Sequence, residues 1–336
     1  EIGRPDLASG ALDGATSAAV DLGLYGDTRG PVERRLALAD AVDDPWERGD
    51  IYAMATWTYV MLGEARTALR WAQEGANLVE EQGAEGVSLH SFAWGAFAQF
   101  ELGAWDAALE WTVRCRARLG DRVETPPYFT AHAFCSAAMI HRLRDESAEL
   151  EALRPTLRSL LGEGPVHHFQ GAARAWMAWL AIRERRFDEA ERLVEETRST
   201  ATDTPRPFIA RVQAELLAAA GRWADVPAFL DEARAYAHDA GLRALPLHLD
   251  RLEARACAAA GDAERASRSF ASAADGFAEL EHRWEAARCD LELAETTVAD
   301  DPEAARRTAG RAIVVFRELR SVDELRRAER LVGASA

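Results

Sequence analysis

Arg211, Arg251 and Arg255 are the residues of this chain best suited to grip a charged ligand, because a guanidinium fork fits a carboxylate or a phosphate. They recur at matching places in a repeat. Counting back six residues from each repeat's turn gives Trp57, Phe97, Ala138, Trp179, Glu215, Arg255 and Ala294; counting back ten gives Ala53, Ala93, Phe134, Ala175, Arg211, Arg251 and Asp290. This stripe is aromatic beside alanine in the N-terminal half and charged in the C-terminal half. On the inner face of a helical stack it suits an amphipathic small molecule or a peptide with an acidic end, with His141 on the same helix as Phe134. A second interpretation needs no ligand: Trp57, Phe97 and Trp179 pack between neighbouring helices. On that view Arg211, Glu215, Arg251, Arg255 and Asp290 cancel to within one charge, which Glu295 restores.

Other chemistry is sparse. All 40 basic residues are arginine, so a phosphate loop that needs lysine and a Schiff-base lysine are both excluded. Cys115, Cys135, Cys257 and Cys289 lie in helical pattern without a Cys-x-x-Cys spacing and are expected as small buried residues. His132 and Cys135 share a helical face with His141 further along, but no second pair completes a metal site, and His167-His168 offers no more. Acidic pairs such as Glu80-Glu81 and Glu195-Glu196 are expected to be solvated. No catalytic residue, metal or cofactor is therefore expected. A formal charge of -16 argues against direct nucleic-acid binding. There is no apolar run of about 18 residues and no basic-then-apolar leader, so the chain reads as cytoplasmic without a membrane segment. It begins at Glu1, as a piece of a longer protein would.

The elements that position the stripe repeat at about 40 residues. Leu62-Gly63, Leu102-Gly103, Ala220-Gly221 and Ala260-Gly261 each close one helical stretch and open another. Five residues beyond the turn stand Ala68, Ala108 and Ala266, and seven further Gly75, Cys115 and Ala273; from Asp300 the same walk gives Ala305 and Ala312. Looser copies run from Arg185-Arg186-Phe187 through Ala190 to Thr197, and from Gly221-Arg222-Trp223 through Val226 to Ala233. Small residues recur where two helices approach closely. This pattern, with Trp105, Phe187 and Trp223 at the aromatic place after the turn, resembles the tetratricopeptide (TPR) repeat, though its period exceeds the family's usual length of about 34 residues. The resemblance covers residues 46 to 332 and implies an all-α, right-handed α-solenoid of about sixteen helices. Residues 1–45 form an opening pair, with helices over 6 to 24 and 31 to 43. Residues 46–320 form about seven repeats and 321–336 a capping helix. In that cap Leu325, Ala328, Leu331 and Val332 cover the final pair while the charges face water. Asp44-Pro45 and Asp301-Pro302 read as N-caps followed by proline at the first helical position. Pro155 predicts a kink or two short helices, and Gly162 to Pro165 marks a candidate hinge.

Phe277-Ala-Glu-Leu280, Trp284-Glu-Ala-Ala-Arg288 running into Leu291-Glu-Leu-Ala294, and Phe316-Arg-Glu-Leu319 are similar to the last repeats of large actinobacterial regulators. Those proteins join a switch ATPase or nucleotide cyclase to a TPR-like arm, often with a LuxR-type DNA-binding domain. The resemblance implies a non-catalytic sensor or scaffold arm that binds a protein, a peptide or a small molecule in its concave groove. A free-standing adaptor for protein assembly is the alternative, and an enzyme with an unfamiliar site a further one.

Overall fold

Most of the helical hairpins turn on one left-handed residue. Gly63, Gly103, Gly221 and Gly261 have φ between +66° and +86°, a region that glycine enters without a Cβ penalty. At the first of them Gly63 N–H donates to the Val60 carbonyl (3.1 Å) and Glu64 N–H to that of Tyr59 (2.8 Å), which satisfies carbonyls left open at the helix end.

A computed structural model describes residues 3–82, 85–162, 168–198 and 204–333, among which there are seventeen α-helices and no strand. α1 (Pro5–Asp21) and α2 (Tyr25–Leu36) open the chain. Seven hairpins follow: α3 (Pro45–Met61) with α4 (Ala65–Gln82), α5 (Glu85–Glu101) with α6 (Trp105–Leu119), α7 (Ala131–Leu143) with α8 (Ser147–Leu161), and α9 (His168–Arg183) with α10 (Phe187–Arg198). The series continues with α11 (Arg206–Ala219) and α12 (Val226–Asp239), α13 (Ala244–Ala259) and α14 (Ala263–Glu279), and α15 (Arg283–Thr297) and α16 (Pro302–Leu319), before α17 (Val322–Gly333). Odd-numbered helices from α3 to α13 touch one another in sequence, and each even-numbered helix from α4 to α14 packs between two odd ones. The repeat's small residues sit at these seams: Ala68, Ala108, Cys115, Ala266, Ala273, Ala305 and Ala312 are all fully buried.

The stack winds until its second coil meets its first. Gly26 N–H donates to the Ala240 carbonyl (2.8 Å), Arg243 N–H to that of Leu62 (3.1 Å) and Arg144 Nε to that of Leu319 (2.9 Å). Arg66 pairs with Glu281, and Arg183 with Glu324, across the same seam. At the N-terminal end buried Arg35 ties three helices together, reaching Ser9 (2.9 Å) and Asp13 (2.6 Å) on α1 and Glu47 (2.9 Å) and Asp50 (2.7 Å) on α3.

Several local expectations change. Gly26 and Pro31 lie inside α2 instead of a linker, because the second coil takes the Gly26 N–H and fixes this segment from a distance. α8 is one helix through Pro155; both Pro155 and Glu151, whose carbonyl loses its bond, are on the exposed face, where water replaces the missing donor. On α17 Ala328 is buried, but Val332 is 41% exposed and Glu324, expected in water, is buried against Arg183. Asp44 and Asp301 do cap their helices, accepting from Trp46 N–H (3.0 Å) and Ala304 N–H (2.9 Å). The candidate hinge at Gly162 to Pro165 falls mostly on residues 163–167, outside the described residues.

Two glycines separate packing from propensity. A Cβ on Gly95 would stand 2.2 Å from Trp111 Cζ3, whereas one on Gly310 meets nothing within 4 Å. Gly95→Ala is expected to lose about 1–3 kcal/mol to overpacking, and Gly310→Ala to gain about 0.5–1 kcal/mol from helix propensity, as read by urea denaturation.

Candidate functional site

The aromatic half of the stripe is core. Trp57, Phe97, Phe134 and Trp179, carried by α3, α5, α7 and α9, are all buried. The rings interlock: Trp57 lies 5.1 Å from Trp94, Phe97 stacks on His132 at 4.7 Å, and Trp179 sits 5.4 Å from Trp176 and 5.9 Å from Trp284. Trp284 comes from α15, so the second coil fills the concavity that an open groove would have left. Trp176 Nε1 donates to His132 Nδ1 (3.1 Å), which places the His132 proton on Nε2.

The charged half is an ion network with its counter-charges inside the chain. Arg211 donates to Glu101 (2.7 Å) and Glu285 (2.8 Å) while lying over Trp179. Arg251 holds both Glu292 oxygens (2.8 and 2.6 Å) and reaches Glu215 (2.9 Å). Arg288 bridges Glu285 (2.9 Å) and Glu215 (3.0 Å), and Arg255 bonds Glu292 (3.0 Å). Four guanidiniums thus meet four carboxylates. Burial works against every charge here, yet the arginines outweigh it: Arg251 and Arg255 hold Glu292 at about 2, and Arg288 and Arg251 keep Glu215 well below the usual range. Asp290 and Glu295, expected as balancing charges, pair elsewhere, with Arg311 (2.7 Å) and Arg327 (2.7 Å). Glu101, Glu285, Arg288 and Glu292 are not among the candidate binding residues read from the sequence, because they come together only when α5 of the first coil faces α11, α13 and α15.

Where this network meets solvent, a cleft of about 930 Å³ opens between the C-terminal ends of α9, α11, α13 and α15 and the starts of α10 and α17. Glu215, Arg255, Arg288 and Glu292 form its floor, and Ile182, Phe187, Ala218, Trp223, Ala258 and Phe270 an apolar wall. Arg142, Arg183, Glu184, Arg185, Glu295, Asp323, Glu324 and Arg327 supply the charges of its rim. Of the candidate binding residues read from the sequence, Arg255 alone lines this cleft, beside Glu215 of the same stripe. Arg211 and Arg251 are buried behind it, and His141 bonds Glu146 (2.6 Å) at the turn between α7 and α8, away from the cleft walls. Phe187 and Trp223 had been recognised only as the aromatics that follow a turn, and that register was the available signal.

Among the described residues no group of three or more His, Cys, Asp or Glu is placed to hold an ion. His167 and the His168 side chain fall outside them. Cys115, Cys135 and Cys289 are buried, and burial pushes the Cys115 thiol up to about 12; Cys257 is partly exposed. Among the described residues no helix is long and apolar enough to cross a membrane. The chain matches no model of a known protein family, and no curated protein matches its sequence.

Truncating the enclosed residues should cost stability. Trp179→Ala is expected to lose about 3–5 kcal/mol, and Arg211→Leu, which strands buried Glu101 and leaves Glu285 to Arg288 and Arg251, about 3–5 kcal/mol, both by urea denaturation at neutral pH.

Stability should fall with acid through two pH ranges. Burial holds His132 at about 3 and His90 at about 4, and lowers His248 and His282 as well. Unfolded histidine takes up its proton near pH 6.5, so the unfolded state binds more protons below that pH and stability falls. At about pH 5.5 unfolding should absorb about two protons through His132 and His90, with His248 and His282 adding to the uptake, measurable by calorimetry in buffers of different ionisation enthalpy. Glu292 and Glu324, both held at about 2, contribute stability above the ordinary carboxylate range that disappears as pH falls toward 2.

Proposed function

We propose that this chain is the non-catalytic, TPR-like binding arm of a bacterial transcriptional or signalling regulator, and that the axial cleft holds its effector. The observation that carries this reading is the cleft itself, with an apolar wall on one side and a floor of guanidiniums and carboxylates on the other. Ligand sites commonly combine such a wall with a few fixed polar groups, in volumes of about 300–1,000 Å³. The state of the acids favours binding over proton-transfer chemistry. Glu215, Glu292 and Glu324 at the cleft are all held ionised by arginine, so none is poised near neutrality as a general acid or base. The regulator part of the proposal rests on the likeness of the C-terminal repeats to the arms of large actinobacterial regulators.

Native mass spectrometry of the chain, with and without cytosolic extract, tests the reading. The wild type should retain a stoichiometric small molecule, and Ala258→Trp, which places an indole in the cleft at an exposed position, should release it without a loss in melting temperature. A clean apo mass that acquires only a polypeptide would replace the sensor reading with the adaptor one.

A further inference from the structure

We infer that the axial cleft takes a small monoanion with a flat apolar body, its charged end held by Arg185; this rests on the cleft being the binding site. The first observation is conformational. Four non-glycine residues among those described adopt left-handed backbone: Asp145 (φ +60°), Arg185 (φ +62°), Glu281 (φ +59°) and Arg320 (φ +61°). Aspartate tolerates this region, but the longer side chains carry the Cβ penalty that glycine avoids at the equivalent turns. Two of the three have a use for their charge: Glu281 binds Arg66, and Arg320 binds Asp106, each across the seam between coils. Arg185 stands five residues before Ala190, as Gly63 stands before Ala68 and Gly103 before Ala108. It therefore occupies the glycine place of its repeat.

The second observation is electrostatic. The Arg185 side chain is exposed, lines the cleft, and has no hydrogen-bond, ion-pair or ring partner among the described residues. The other guanidiniums of the cleft are engaged: Arg183 by Glu324, Arg255 by Glu292, Arg288 by Glu215 and Glu285, Arg327 by Glu295, and Arg142 by Asp323 (3.7 Å). Glu184, which also lines the cleft, is held by Arg154 and Arg186, so among the described residues Arg185 is the one lining guanidinium without a partner. A single carboxylate pairs with it, whereas a second negative charge would face Glu295 and Asp323 with no cation left to receive it. Phe187, two residues from Arg185, together with Trp223 and Ala258, supplies a surface for a planar apolar body beside that charge.

Isothermal titration calorimetry of the full chain tests this with naphthoate, the dianion naphthyl phosphate, the neutral naphthyl methanol, and the neutral peptide acetyl-alanyl-tryptophan amide. Naphthoate should bind the wild type at least about tenfold more tightly than the other three, the scale of one charge-assisted fork. Arg185→Gly should erase the preference over naphthyl methanol while holding or raising the melting temperature, since glycine suits φ +62°. Ala258→Trp should abolish binding of every probe. Naphthoate affinity unchanged in Arg185→Gly but lost in Ala258→Trp would overturn the role of Arg185 and leave the cleft as the site. Affinity unchanged in both variants would overturn the cleft reading itself. The inference also fails if naphthyl phosphate binds as tightly as naphthoate, if the peptide binds in its place, or if no probe binds.

Discussion

The closing of the second coil on the first depends on charges that have no water to go to. Arg211, Arg251 and Arg288 are buried with Glu101, Glu215, Glu285 and Glu292, and Arg255 reaches them from the cleft edge. Removing such ions from water costs several kcal/mol each, and only nearly complete mutual pairing offsets it. That makes the network a weak source of stability and a strong constraint on register. Glu101 belongs to the first coil; Arg211 and Glu285 belong to the second half of the chain. A slip of one helical turn along α5 would leave two buried charges unmatched, a penalty that an apolar interface would not impose.

The aromatic layer meets the same enclosure by another route. Rings from α3, α5, α9, α11 and α15 converge where the network ends, and the Arg211 guanidinium lies over Trp179 at 4.4 Å, Arg288 over Trp284 at 4.5 Å. These two contacts join the apolar and ionic layers, since a weakly hydrated guanidinium can present its face to indole while its edge serves carboxylates. Alanine, glycine and cysteine at the hairpin seams then let the outer helices approach closely enough to seal the sides.

The sequence was legible wherever local pattern decides structure. Glycine turns, the alanine five residues on, and the Asp44 and Asp301 caps are short-range signals, and from them an all-α stack of hairpins with about the observed number of helices follows. The stripe can be picked out along the chain from the repeat, but its environment was not readable. Whether Trp57 and Phe97 line a groove or fill a core depends on how far the stack winds, and that is set by contacts such as Gly26 with Ala240 and Arg144 with Leu319, which no local period encodes. The partners of Arg211 and Arg251 were missed for the same reason. Asp290 and Glu295 were nearer in the repeat pattern, yet Glu101 and Glu292 are nearer in space.

The cleft is where these two layers stop. Its floor is the solvent-facing edge of the ion network, so Glu215, Arg255 and Glu292 belong both to the joint between the coils and to any surface a ligand touches. A charge placed over that floor acts on ion pairs whose geometry sets the seating of α13 and α15. The rim adds a second connection, because Arg183 and Arg142 lead from α9 and α7 to Glu324 and Asp323 at the start of α17. An occupant held at Arg185, one residue from Glu184, would thus lie against the hairpin turn that Arg183 fastens to the terminal helix. The side chains that line the cleft are thus also the ones that seat the last helix, with Arg183 and Arg142 shared between them.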